Sequence, residues 1–266
     1  MISIKNKVVW ITGASSGIGE ALAYKFAKAG ARLIISARRA DELERVKRNC
    51  SLAEDRILVM PLDVSDYQSI GMKSGEVINK FGAVDILVNN AGVSHWTKVK
   101  DLSLDVIHKI FNVNFFGGIA LTKAVLPLML ANKRGHIVVI SSVLGKMVVQ
   151  KQAAYNASKH ALHGFYDTLR LEVAPDGVGV LLVCPGFVRT NVAKNSLNKD
   201  GMAINQDNEK IAKGLDPDFV ADKILKAIEK NKDEIIIAGA PEKSAIVLKR
   251  LAPSLFAGLM RKRKLL

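Results

Sequence analysis

Cysteine is scarce. Only Cys50 and Cys184 occur in 266 residues, too few for a disulfide framework and in keeping with a reducing compartment. Seven prolines and 6% aromatic residues exclude a proline-rich disordered chain and leave little for stacking on nucleic-acid bases. No stretch reaches the ~18 uninterrupted apolar residues of a membrane span, and the longest candidate, 115–131, is interrupted by Lys123 and Pro127. The opening MISIKNKVVWITG has a short apolar run without a small-residue cleavage site, so no secretory signal is expected. The five histidines show no zinc spacing, so no metal site is expected. What is present, 49% hydrophobic and 24% charged residues, is enough for one large core. A single unit over 1–266 is expected, because α/β folds often run ~250 residues as one domain.

The charge is one-sided, 39 basic against 25 acidic residues for a net +14. Nucleic acid, an anionic membrane or a phosphorylated ligand would each suit that balance. Residues 242–266 hold seven lysines or arginines against one acid. No nucleic-acid recognition motif accompanies the charge, so that partner is not expected.

Short continuous apolar runs alternate with helical patterns along the chain. Strands are predicted over 7–12, 32–36, 57–61, 85–89, 136–141, 178–184 and 234–238. Runs of this kind suit a parallel sheet covered on both faces. Helices are predicted over 17–29, 40–52, 66–81, 104–131, 154–174 and 217–230. The fold class is therefore α/β: a Rossmann-like doubly wound sheet of about seven parallel strands with helices on both faces. Residues 191–214 are polar and weakly periodic, too long for an ordinary connection and expected to be a substrate loop.

The first predicted strand runs into Gly13, Ala14, Ser15, Ser16, Gly17, Ile18 and Gly19, and then into a helix. Glycines there allow a tight turn and a close approach of backbone to a pyrophosphate on the helix N-terminus. Alone, a glycine-rich turn is a weak sign, but the strand before it and the helix after it supply the context. Dinucleotide folds commonly place an acid at the end of the second strand for the ribose 2′-hydroxyl. This chain has Arg38 and Arg39 there instead. Unless they are merely a solvated helix start, two guanidiniums suit a 2′-phosphate, so NADP(H) is the expected cofactor.

Tyr155 and Lys159 open the helix after the fifth strand, and their i, i+4 spacing places them on one face. A phenol titrates near ~10, and a neighbouring cation is expected to lower that value. Such a pair is common on helix surfaces. Here, however, Ser142 lies thirteen residues upstream at a strand end, where open α/β sheets bind ligands. A hydroxyl there can orient a carbonyl while Tyr155 transfers the proton.

With these residues in view, the chain resembles the short-chain dehydrogenase/reductase family, in its branch of single-domain enzymes of ~250 residues. TGASSGIG at 12–19, LDV at 62–64, NNAG at 89–92, Asn114 within NVNFFG, ISS at 140–142, YNASK at 155–159 and PGFVRT at 185–190 match in order. The resemblance implies Tyr155 as general acid/base, with Lys159 lowering its pKa and holding the nicotinamide ribose. It implies Ser142 orienting the carbonyl and Asn114 on a water-linked proton path to Lys159. Asp63 and Val64 would meet the adenine, and Asn90, Ala91 and Gly92 would support the cofactor. Pro185, Gly186, Val188 and Thr190 would flank the carboxamide. Family relatives build a four-helix interface from the helices matching 104–131 and 154–174, so a homodimer or homotetramer is expected.

The activity expected is hydride transfer between NADP(H) and a carbonyl or secondary alcohol. The alternative is a catalytically idle nucleotide-binding module of the same fold. It is the weaker reading, since such a module would be free to lose the serine, tyrosine or lysine. Trp96, Val143, Leu144, Met147, Val149 and Phe187 fall around the site in the family topology, an apolar lining that suits a lipophilic substrate. His95 is expected in the pocket wall, His160 and His163 in packing or at the surface, and Ser141 on the face opposite Ser142. Beyond the seventh strand, Ile246, Val247, Leu248, Leu251, Leu255, Phe256, Leu259 and Met260 recur at helical spacing with basic flanks and a kink expected at Pro253. This extension, 241–266, either packs on the protein or lies in a membrane interface. The location expected is cytoplasmic, with peripheral membrane contact as the further option.

Overall fold

The computed structural model describes residues 2–206 and 209–262. Seven strands, β1 (Val8–Thr12), β2 (Arg32–Ala37), β3 (Ile57–Pro61), β4 (Ile86–Asn89), β5 (Gly135–Ile140), β6 (Val178–Pro185) and β7 (Glu234–Ile237), form one sheet in the order 3-2-1-4-5-6-7. Every pairing is parallel, with Ile11 opposite Ile35 on one side and Val88 on the other. This is the expected Rossmann-like α/β fold. The chain winds outward in both directions from β1 and β4, so their C-terminal ends form the switch point where such sheets take ligands.

Strand alternation sorts the apolar runs into two cores. Val9, Ile11, Leu33, Ile35, Val138 and Val183 face α1 (Gly17–Lys28), α2 (Ala40–Cys50) and α8 (Pro217–Glu229). Val8, Trp10, Ile34, Leu87, Val139 and Leu182 face α3 (Tyr67–Phe81), α5 (Gly117–Ala131) and α6 (Ala153–Val173). The one polar atom of Trp10 is satisfied, since Nε1 donates to Ser36 Oγ at 2.9 Å. Local chemistry starts the helices. Asp66 accepts from Ser69 N ahead of α3, Ser103 from Val106 N ahead of α4 (Leu104–Phe111), and Asp216 caps α8, with Pro217 at its first position.

Predicted helix 104–131 is continuous but not uniform. A π-helical turn, Asn112–Phe116, joins α4 to α5, and Pro127 sits inside α5 without ending it. At mean hydropathy 1.6, this helix is long and apolar enough to cross a membrane by length and composition alone, and a third of its most apolar window is buried. Among its described residues, predicted loop 191–214 contains one short helix, α7 (Glu209–Ala212); residues 207 and 208 lie outside them. The extension forms two helices, α9 (Ala240–Leu251) and α10 (Pro253–Lys262), which break at Ala252 rather than bend at Pro253. The residue before a proline avoids the helical region, and Ala252 lies outside it at φ −140° and ψ 68°. The basic residues Arg263 and Lys264 lie outside the described residues.

Candidate active site

The turn between β1 and α1 closes only with glycine. Gly13 and Gly17 have φ of 64° and 61°, and a Cβ on Gly19 would lie 2.3 Å from the Gly13 carbonyl oxygen. Ser16 precedes α1 in extended conformation and makes no side-chain cap, leaving the helix start suited to an anion. Thr12 Oγ1 accepts from the N–H groups of Asn90 and Ala91 at 3.1 Å, and Asn90 Nδ2 donates to the carbonyls of Thr12 and Gly13. From the far side, Thr190 approaches so closely that a Cβ on Gly17 would meet its Cγ2 at 2.8 Å. Ile18 stands half-buried on the first turn of α1.

Arg38 and Arg39 are exposed just past β2, and Arg39 Nη2 donates to Ser15 Oγ at 3.4 Å. Burial works to raise the Asp63 carboxyl, but bonds from Ser65 and the charges of Arg38 and Lys109 hold it below the ordinary value. Arg45 is committed elsewhere, bonded to Glu20 at 2.6 Å, to Glu42 at 2.9 Å and to the Ser15 carbonyl at 3.3 Å. A cavity of about 520 Å³ opens here between Ser15–Gly17, Arg39, Arg45 and Thr190. Glycine cradle and uncapped helix start together fit the pyrophosphate of a dinucleotide.

Ser142, Tyr155, Lys159 and Asn114 converge beside this cradle. Ser142 Oγ accepts from Leu144 N at 3.1 Å and also interacts with the Tyr155 hydroxyl. Ser141 turns the other way, to the Lys159 carbonyl and His163 Nε2. Lys159 Nζ donates to the Ile140 carbonyl at 2.8 Å and lies 5.6 Å from the centre of the Tyr155 ring. The expected depression of the phenol is not what this geometry produces. Burial raises Tyr155 despite the Ser142 hydroxyl, and the same burial pushes Lys159 down to about 8. Desolvation is the larger effect on the phenol, and the ammonium's hydrogen bond goes to the Ile140 carbonyl.

The π-helical turn aims Asn114 inward. Its Oδ1 accepts from Val93 N at 2.8 Å, while Nδ2 donates to the Val93 carbonyl and Ser158 Oγ. Ser158 bonds back to the Tyr155 carbonyl at 2.9 Å. Asn114 and Lys159 meet at Gly92, where a Cβ would lie 3.4 Å from Oδ1 and 3.7 Å from Nζ. Val64, just past β3, sits so close that a Cβ on Gly117 would strike its carbonyl at 2.6 Å.

The substrate side differs from the expected lining. Val143 and Met147 are buried and pack with Leu144 against Phe256 of α10, so the extension forms a back wall. Phe187 is exposed, and Lys151 lies over the Trp96 ring at 5.7 Å. Pro185 ends β6, Gly186 N bonds the Ile237 carbonyl, and Val188 bridges to Leu215 at the neck of the 191–214 segment. Its middle is stitched down by Leu197, whose N–H donates to Ser94 and whose carbonyl accepts from Trp96.

Residue types alone did not single out Thr12, Arg45, Ser158 or the work done by His95. His95 is fully buried, and its Nε2 accepts from Ala154 N at 3.1 Å, capping the helix that carries Tyr155. Burial pushes this imidazole down to about 4, keeping it neutral and able to accept. The signal available was position: a histidine just past a strand end at the switch point. His163, which the sequence assigned to packing or surface, touches Ser141 and lies 3.6 Å from Cys184 Sγ.

A parallel sheet with a glycine cradle at its switch point and a serine, tyrosine and lysine past the neighbouring β5 defines an NAD(P)-binding oxidoreductase. The short chain dehydrogenase family model matches residues 7–201, and the chain belongs to that family. A dehydrogenase/reductase SDR family protein 7-like from Anopheles gambiae is 43% identical over 265 residues, covering 98% of this chain and 84% of that one. Among solved structures, a short chain dehydrogenase/reductase from Burkholderia phymatum in complex with NAD superposes with TM-score 0.86 at 27% identity, over 96% of each chain. An alcohol dehydrogenase from Thermococcus sibiricus complexed with 5-hydroxy-NADP superposes at 0.76 and 28% identity, over 88% of this chain and 96% of that one.

Proposed function

We propose that this oxidoreductase uses NADP(H) to interconvert a lipophilic carbonyl compound and its secondary alcohol, with Tyr155 as general acid/base. The convergence of Ser142, Tyr155, Lys159 and Asn114 at the end of β5, beside the cradle, carries this reading. NADPH, when bound, supplies the hydride to the carbonyl carbon. Gly13, Ser15, Ser16, Gly17, Ile18 and Gly19 hold its pyrophosphate, and Arg38 and Arg39 its 2′-phosphate. Asp63 and Val64 receive the adenine, Asn90, Ala91 and Gly92 support the ribose side, and Pro185, Gly186, Val188 and Thr190 border the nicotinamide. Ser142 donates to the carbonyl oxygen while Tyr155 gives that oxygen its proton. Lys159 holds the nicotinamide ribose, and Asn114 anchors the path that returns a proton to Tyr155. The apolar back wall supports a lipophilic substrate, and the 191–214 segment closes over it.

The same reading makes the protein a homodimer or homotetramer, since Leu104, Phe116 and Leu171 stand 70%, 46% and 78% exposed on the helices named for that contact. Two free, buried cysteines support a cytoplasmic setting; the extension adds peripheral membrane contact. The test is NADPH consumption across a panel of lipophilic ketones and aldehydes, with NADH alongside. Turnover with NADPH is expected. NADPH fluorescence enhancement without turnover on any of them would instead make this an idle nucleotide-binding module.

A further inference from the structure

Helices α9 and α10 divide their apolar residues between two faces. Inward, Phe256 is 5% exposed and packs with Val143 and Met147, joined by Ile246, Leu248 and Met260. Gln150 Nε2 donates to the Met260 carbonyl at 3.4 Å, and Lys249 Nζ lies 3.1 Å from His160 Nε2. The pair is thereby fastened to the segment that follows Ser142 and to α6 one residue past Lys159. Outward, Val247, Leu251, Leu255 and Leu259 are 55%, 77%, 57% and 50% exposed. They recur at every fourth position through the break at Ala252. Lys243, Arg250 and Arg261 are exposed on the same two helices, whereas Glu242, their one acid, lies against Gly239 at the start of α9.

An apolar row set among cations selects its occupant. A two-fold contact between copies would lay this cationic patch on its own image and gather Arg250 and Arg261 of both copies in one interface. Nucleic acid would take the cations but leave four aliphatic side chains in water. A bilayer bearing anionic headgroups satisfies both, with leucines in the acyl boundary and arginines at the phosphates. We propose that the outer face of α9 and α10 docks on an anionic lipid surface, setting the back wall of the substrate site beside the membrane. The benefit to substrate entry rests on the proposed lipophilic chemistry; the docking itself does not.

The test is co-sedimentation of the full chain with vesicles of phosphatidylcholine alone and of phosphatidylcholine with phosphatidylserine, at low and high salt. Binding to the anionic vesicles is expected, weakened by salt. The double variant Leu251→Ser, Leu255→Ser should bind them at least about tenfold more weakly, because two apolar side chains leave the interface. Its NADPH binding, followed by fluorescence, should match that of the unaltered chain and reports that it is folded. The pair Arg250→Glu, Arg261→Glu should lose the preference for phosphatidylserine. The proposal is overturned if the full chain stays in the supernatant with both vesicles, as an acidic protein partner would predict. It is equally overturned if the double serine variant binds as well as the unaltered chain. A fall in light-scattering mass in that variant, with no vesicle binding by the parent, would make a second copy the occupant. Vesicle binding by a chain that takes up no NADPH would count against the reductase reading alone.

Discussion

At the cofactor wall of the cleft, backbone meets backbone: Gly19 lies under the Gly13 carbonyl, and Thr12 and Asn90 bond main-chain groups across the switch point. At the wall proposed for the substrate, residues 187–216 are joined at the neck by Val188 and Leu215 and tied down where Leu197 meets Ser94 and Trp96. On the first wall, close contacts leave no room for a side chain at Gly13, Gly17 or Gly19. On the second, main-chain hydrogen bonds such as Leu197 to Ser94 do not depend on the side chain that carries them. A wall of the first kind suits a constant ligand, and one of the second suits a substrate that differs between relatives.

Tyr155, the proposed proton donor, stands between the two walls, and its removal should have the largest effect. Tyr155→Phe should cut turnover by at least ~10²-fold while NADPH binding is unchanged; a variant keeping more than about a tenth of the parent rate in steady-state assays would remove Tyr155 from the acid role. On the cofactor wall, Arg38→Asp should weaken NADPH by about 10- to 150-fold, the worth of a charge-assisted contact, and leave NADH affinity nearly as it was. Fluorescence titration with both nucleotides measures this, and a parent protein that prefers NADH would end the 2′-phosphate assignment.

His95 joins the walls, because it caps α6 and its backbone bridges to Leu197. His95→Ala should cost about 1 kcal/mol, as loss of a helix cap does, and lower the melting temperature by about 2–4 °C in a chain of this size. It should lower kcat more than it raises KM, and His95→Gln, which returns an acceptor, should restore most of the loss. A variant indistinguishable from the parent in both readouts would leave His95 as filling. A further effect is on pH dependence. Burial holds His95, His136 and His163 at about 4, against ~6.5 in the unfolded chain. The unfolded state therefore binds protons that the native state refuses. Their contribution to stability is full above pH ~6.5 and is lost as the pH falls toward 4. Denaturant titrations across that window should show the decline, with a shallower slope for His95→Gln.

The sheet was legible because buried parallel strands need runs such as VVWIT and RLIIS, and no polar pattern competes with them. The cradle was legible because its glycines are forced by backbone contacts that leave a fixed spacing. Less legible were matters settled by desolvation and by contacts far apart in sequence. Spacing put Lys159 beside Tyr155, but only the fold shows that the Ile140 carbonyl claims its ammonium. Val143 and Met147 belong to the apolar lining by position, yet Phe256, more than a hundred residues on, decides that they are covered. Ser158 reads as an ordinary helical serine until Asn114 arrives from another helix.

The wide turn at Asn112–Phe116 amounts to one surplus residue in an otherwise regular helix. Upstream, Val106 and Ile110 keep their packing, and downstream Leu121, Val125 and Met129 keep theirs. A surplus residue of this kind presents an amide at the cleft without disturbing the core on either side. Taking one residue out there would leave a regular helix whose Asn114 no longer reaches the Val93 backbone, so the placing of that amide and the packing of the helix are separable.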